Sequence, residues 1–268
     1  PDGTRSMFSL EPVKQTGERP LKDSTPSALL ALHDAGYREI LSRLDDRPVV
    51  DIGCGIGDQT GRLLAPGRLV FGLDYDVATA DVANGVGVKA VCGDGSRLPF
   101  ASGSMGVVCS SHIIEHFVDP EPHVVESARV LADDGLLLVL TPNEPADFEN
   151  PFHVHLFRPD SLRAMLEKHF MNVEVLGLDG DERVHADFER RRRWGRWILR
   201  LDPLGLRRRL PHAMFVRLHS VGRRLLYPIM NRRQSATESF SEDNFRVGKR
   251  IDDRTLVLFA IARSPKRT

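Results

Sequence analysis

The feature that most constrains this 268-residue chain is the stretch Val49–Asp58, V-V-D-I-G-C-G-I-G-D. An apolar run ends in glycines at alternate positions, Gly53, Gly55 and Gly57, and the polar group Asp58-Gln59-Thr60 follows, suited to opening a helix. Glycine accepts positive φ and lets a backbone approach a ligand closely. A helix N-terminus adds N–H groups with no partner inside the helix. A strand that turns on glycines into a helix is therefore a ligand cradle. The dinucleotide fingerprint G-x-G-x-x-G is not met, because Asp58 or Thr60 stands where the third glycine is needed. What stands instead is D-x-G-x-G-x-G, with Asp51 two residues before the first glycine.

Two more acids follow at strand ends, where an open α/β sheet holds its ligands. Leu69–Leu73 reads as the second strand, and Asp74 at its end is placed to accept both hydroxyls of a ribose. The alternative for Asp74 is an N-cap for a helix over 76–84. Val88–Val91 reads as the third strand, and Cys92-Gly93-Asp94-Gly95 follows, where Asp94 can accept from an adenine amino group. In this order and spacing the signals resemble the class I S-adenosylmethionine (SAM) dependent methyltransferases. The series Leu98-Pro99-Phe100, Val107-Val108, Ser110-Ser111-His112-Ile113-Ile114-Glu115-His116 and Asp119-Pro120 is similar to that of the ubiquinone-biosynthesis-type members. Ala128–Leu131, Gly135, the strand Leu136–Leu140 and Thr141-Pro142-Asn143 continue it. The resemblance covers about residues 16–178 and implies SAM as cofactor, S-adenosylhomocysteine as product, and Asp51, Gly53, Gly55, Gly57, Asp74, Tyr75, Gly93, Asp94, Gly95 and Ser110 as the cofactor site. Met105-Gly106 and Asp133-Asp134-Gly135 depart from the family pattern, both at strand N-terminal ends away from the ligand.

The expected fold is α/β, a Rossmann-like, seven-stranded, doubly wound sheet with a helical, arginine-rich insertion between the last two strands. Residues 1–25, rich in Pro, Gly and charge, read as an arm; its Thr16-Gly17-Glu18-Arg19 resembles a segment placed before the glycine motif in many bacterial members. Residues 26–180 form the SAM-binding core, starting with a helix in which Leu29, Leu30, Tyr37, Ile40, Leu41 and Leu44 share a face. Residues 181–254 are the insertion, and 255–268 the final strand and tail. Three scattered cysteines, Cys54, Cys92 and Cys109, suit buried thiols in a reducing compartment better than a disulfide framework. No leader pattern and no apolar run of about 20 residues shows, so a cytoplasmic protein is expected, and the resemblance implies a bacterial one.

Between Arg190 and Arg233 stand fourteen arginines, no lysine and one acid, Asp202, a net charge of +13 in a chain whose total is zero. Trp194, Trp197, Ile198 and Leu201 follow helical spacing, with Arg193, Arg196 and Arg200 on the other face. A second helix is expected over 212–227. The block reads as an ordinary amphipathic pair, a substrate lid, a peripheral contact with anionic membrane through 190–233, or an anion or nucleic-acid surface.

Methyl transfer from a sulfonium is an in-line displacement, so the site aligns the reactants, excludes water and deprotonates a hydroxyl acceptor. Histidine is the usual base near neutral pH. His153, in the segment Asn150-Pro151-Phe152-His153, is the first candidate, then His112, then His116. That segment is similar to one in methyltransferases of bacterial glycan, glycolipid and secondary-product pathways. No residues have metal-ligand spacing, His153-x-His155 alone being weak, so no metal is expected. The function these signals imply is O-methylation of a small molecule such as a sugar, glycolipid or lipid-linked metabolite. RNA methylation and a non-catalytic SAM-binding interaction protein are the alternatives. Nucleic acid is the less favoured partner, since Ser110-Ser111-His112-Ile113 stands where base N-methylating enzymes carry N/D-P-P-Y/F/W.

Overall fold

The computed structural model describes residues 25–147, 150, 152–199 and 239–267, with the backbone alone for 194–199. Eight strands form one sheet in the order β3-β2-β1-β4-β5-β8-β6-β7. The strands are β1 (Val49–Ile52), β2 (Val70–Asp74), β3 (Lys89–Cys92), β4 (Met105–Ser111), β5 (Leu131–Pro142), β6 (Phe170–Gly180), β7 (Phe245–Gly248) and β8 (Val257–Pro265). The first five run parallel, while β8 pairs antiparallel with both β5 and β6, and β7 antiparallel with β6. The chain order reverses between β1 and β4, and that switch point places the ligand cleft at their C-terminal ends.

Helices cover both faces, which is why β1, β4 and β5 read as continuous apolar runs. Val49, Val107, Leu136, Leu138 and Leu140 point to the face covered by α1 (Ser27–Leu41). Val50, Val108, Leu137 and Val139 point to the face covered by α3 (Glu121–Val130) and α4 (Pro159–His169). Truncating a fully buried leucine such as Leu138 to alanine would cost about 2–5 kcal/mol. The remaining α-helices among the described residues are α2 (Val77–Gly85) and α5 (Glu182–Leu199).

Three expectations are corrected. The sheet has eight strands, not seven: the insertion itself supplies β7, which extends the β6 edge. The glycine turn does not open an α-helix; a single 3-10 turn over Thr60–Leu63 follows, cut short by the extended Leu64 and the Pro66-Gly67 turn. Cys92 is exposed, whereas Cys54 and Cys109 are buried. The arm up to residue 24 and the helix expected over 212–227 lie outside the described residues.

Both departures from the family pattern meet at Arg47. A Cβ on Gly106 would lie 2.3 Å from Arg47 Cβ, so only glycine fits beside it. The Arg47 guanidinium in turn pairs with Asp45 and Asp134. The base of the insertion is clasped to the core on the other edge. Arg62 pairs with Glu242 at 2.7 Å and Arg38 donates to the carbonyls of Glu242 and Phe245, while Asn244 donates to Asp181 at 2.8 Å and so joins the insertion's own two ends.

Candidate active site

The glycine turn runs with φ of +80° at Gly53, +55° at Gly55 and +85° at Gly57. A side chain is excluded as well as strained at two of them. A Cβ on Gly53 would meet Ile113 at 3.1 Å, and one on Gly57 would meet Val86 at 2.8 Å. The turn is tied to the end of β2: Gly53 and Cys54 donate to the Leu73 carbonyl, and the Gly55 N–H donates to Asp74 Oδ2 at 3.1 Å. Asp76 N–H holds Asp74 Oδ1 at 3.0 Å, while Asp76, not Asp74, caps α2. Asp74 is thus a buried carboxylate fixed by backbone at the mouth of the glycine turn.

Gly93 donates to the Asp74 carbonyl, which brings the loop after β3 alongside. Asp94 is exposed, and the Ser96 backbone N–H and hydroxyl hold its carboxyl below the usual range. Tyr75 is 67% exposed. Gly95 lies buried where a Cβ would meet Ile52 at 3.0 Å and Phe117 at 3.1 Å. Its carbonyl accepts from His123 Nδ1 at 2.8 Å, so Nε2 of that neutral ring accepts from the Ser110 hydroxyl at 2.9 Å. Burial keeps the His123 pKa low, which preserves this tautomer. Ser110 is thus buried and joined through His123 to the loop after β3.

Asp51 faces α1 from within β1. Tyr37 donates to its Oδ2 at 2.9 Å and Thr60 donates to the same oxygen, while Oδ1 has no hydrogen-bond partner among the described residues. Burial pushes its pKa up to about 6, against the two donors.

The histidines gather at the ends of β4 and β5. His112 has a φ of +54°, rare for a residue with a Cβ and a mark of stored strain at functional sites. Its Nδ1 lies 3.4 Å from Glu115 Oε1, and its ring lies against His33. Glu115 is fully buried and accepts from Thr141 at 3.0 Å. Burial raises its carboxyl, but His112, His116 and His153 together more than offset this and hold its pKa below the ordinary glutamate value. The Glu115 carbonyl accepts from both Val154 and His155 N–H, which fastens the segment after β5 to the turn after β4. His116 Nδ1 donates to the Phe152 carbonyl at 2.9 Å. His153 Nδ1 lies 3.0 Å from Asp147 Oδ1, and Asn150 donates to its Nε2 at 3.0 Å.

The basic helix reaches this corner, since Arg192 donates to the Ala146 carbonyl. Asp187, also buried, pairs with Arg190 and Arg191. The positions of Arg196, Arg200 and the tryptophans carry no side-chain description, so the two-faced layout lies outside the described side chains. No helix among the described residues is long and apolar enough to cross a membrane.

Tyr37, His123, Thr141 and Asp147 are site residues that sequence reasoning missed. Each acts across a fold contact, a relation that no local spacing carries. Glu115 was visible in the motif, but its burial was not.

The family model described as a methyltransferase domain matches residues 50–139. A Mycobacterium tuberculosis protein named probable S-adenosylmethionine-dependent methyltransferase is 32% identical over 173 residues, covering 61% of this chain and 63% of that one. A Mycolicibacterium smegmatis protein of similar name is 35% identical over 150 residues, covering 53% and 58%. The chain thus spans about three-fifths of the length of these relatives. A SAM-dependent methyltransferase structure from Thermotoga maritima superposes with a TM-score of 0.57 at 14% identity, covering 88% of this chain and 91% of that one, a likeness of fold. The cradle fits SAM: glycines at positions a Cβ would fill, and a fixed carboxylate whose oxygens accept about four hydrogen bonds in all, enough for a ribose diol.

Proposed function

Since the chain carries a class I SAM-dependent methyltransferase domain with SAM as its cofactor, we propose that it methylates a hydroxyl of a small molecule, with His112 as the base. SAM supplies the electrophilic methyl when bound. The residues of this chain do the rest. Asp74 and the glycine turn hold the ribose end, and Asp94 with Gly95 the adenine end. The observation that carries the reading is His112, strained at the end of β4 and followed by Ile113, whose side chain closes over Gly53. A base there stands beside the cofactor turn. Glu115, buried 3.4 Å away, orients the ring. His153, the first candidate by sequence, lies one loop further out, between Asp147 and Asn150.

The basic insertion reads as a lid over the acceptor. Arg192 reaches the segment after β5, and an acceptor bearing a phosphate or carboxylate would suit the charge that follows. The test is incubation with methyl-labelled SAM and a bacterial small-molecule extract, read by mass spectrometry. Label should enter a hydroxyl-bearing metabolite, and His112→Ala should lower turnover about 10²–10⁴-fold with SAM affinity kept. Near-normal turnover in that variant removes His112 from the role of base; label on nitrogen or carbon removes the hydroxyl acceptor.

A further inference from the structure

We propose that Tyr37 and Thr60 are cofactor-positioning residues, which occupy one oxygen of the Asp51 carboxylate and leave the other for a donor on SAM. The inference rests on SAM as the cofactor and on nothing about the acceptor or its base. Asp51 lies in β1, two residues before the first glycine of the turn, and is fully buried. Tyr37 reaches it from α1 and Thr60 from the 3-10 turn that follows the glycines. Both hydroxyls meet on one atom, Oδ2. Oδ1 is buried as well and has no hydrogen-bond partner among the described residues. The neighbouring strands do not complete it: the residue beside Asp51 is Gly72 on β2, and on β4 it is Cys109, a weak donor.

A buried carboxylate oxygen left so is costly, and its place beside the glycine turn indicates what it lacks. With Asp74 placed for the ribose diol and Asp94 for the adenine amine, the donor that SAM has left is the ammonium of its amino-acid end. That group is a cation, and a cation favours the ionised carboxylate.

Binding is therefore coupled to a proton. Burial holds the Asp51 carboxyl at about 6 against its two donors, and no cation among the described residues offsets that burial. The titratable groups around the pair are Tyr37 on α1, Cys54 in the turn and Cys109 on β4. Burial pushes Tyr37 and Cys109 up, so both stay protonated and Tyr37 goes on donating. With two hydroxyls on Oδ2, the proton of neutral Asp51 sits on Oδ1, the oxygen that the ammonium needs. SAM binding sends this proton to solvent, and SAM affinity falls as pH drops through about 6.

The test is calorimetric titration of SAM into the full chain, in buffers of differing ionisation enthalpy, between pH of about 5 and 7, where an amino group stays charged. Wild type should release about 0.5–1 proton per SAM at pH of about 5.5 and close to none at about 7. Its affinity should be about 10-fold weaker at pH of about 5 than at 7. Asp51→Asn should abolish the release and flatten the pH dependence. Tyr37→Phe and Thr60→Val each remove one donor and keep the shape of the side chain. Each should move the midpoint of the pH dependence up by about one unit. A structural role alone would lower their melting temperatures and leave that midpoint in place; melts on the same samples identify folded protein. SAM binding by wild type without proton exchange, at one affinity across this range, would overturn the proposal and leave the cofactor assignment standing. Unmoved midpoints in folded Tyr37→Phe and Thr60→Val would also overturn it, as would the wild-type pH dependence persisting in Asp51→Asn. No SAM binding at any pH would sink the cofactor assignment together with it.

Discussion

Asp51 is an acid that the fold keeps from water, and its thermodynamics can be read directly. In the unfolded chain its carboxyl titrates near the ordinary 3.8, whereas in the folded chain burial lifts it to about 6. The folded state therefore binds the extra proton between those values. The stability this group contributes is complete at low pH and is lost as pH rises through about 6, a change of about 3 kcal/mol for a two-unit shift. Asp51→Asn removes that dependence. Urea denaturation should show the variant gaining on wild type by about 1–3 kcal/mol between pH of about 4 and 7, with no further change above. A pH-independent difference would mean that Asp51 is not held protonated. At this scale the positive-φ glycine turn and the place of Asp74 at a strand end were legible because they follow from short spacings along the chain. Tyr37, fourteen residues from the Asp51 it donates to, was not, because only the packing of α1 on β1 brings them together.

Among elements, the informative junction is that of β4, α3 and the loop after β3, fixed by Ser110, His123 and Gly95. His123→Phe keeps the stack against Phe117 but leaves a buried hydroxyl and a buried carbonyl without partners. That should cost about 1–3 kcal/mol of stability. It should also weaken SAM binding while leaving turnover at saturating SAM near normal, since His123 positions the loop and touches no reacting atom. Lost stability with unchanged SAM affinity would make the junction purely structural. Helix α4 starts at Pro159, whose fixed φ suits a first turn, and ends at His169. The short helix after the glycine turn formed as one 3-10 turn, because the extended Leu64 and the Pro66-Gly67 turn leave room for no more. Strand β7 was missed because F-R-V-G is four residues long and gains its state from the β6 edge rather than from its own pattern.

At the scale of the whole molecule, a conventional sheet carries a strongly basic excursion whose two ends are joined at Asp181–Asn244 and held to the core by Arg62–Glu242. Under the proposed function this excursion is a lid rather than a membrane arm. Sedimentation with anionic vesicles at physiological salt should accordingly leave the protein in the supernatant. Salt-sensitive pelleting, abolished by a combined Arg193→Glu, Arg196→Glu and Arg200→Glu change, would establish the membrane reading instead, since each such arginine contributes about 1 kcal/mol near an anionic surface. The overall architecture was legible because covered parallel strands must be apolar throughout and their glycine turn is local. The grouping of Glu115, His116 and His153 was not, since two loops meet only after the sheet has closed. All of these readings depend on one site at the switch point of the sheet, and calorimetric titration of SAM into wild type and Asp74→Ala tests it most directly. The account predicts one SAM per chain in wild type, at least about 10-fold weaker binding in the variant because a buried carboxylate bonded to two hydroxyls is worth about 1.5–3 kcal/mol, and no heat with NADH. Equal SAM affinity in both proteins, or none in wild type, would contradict it.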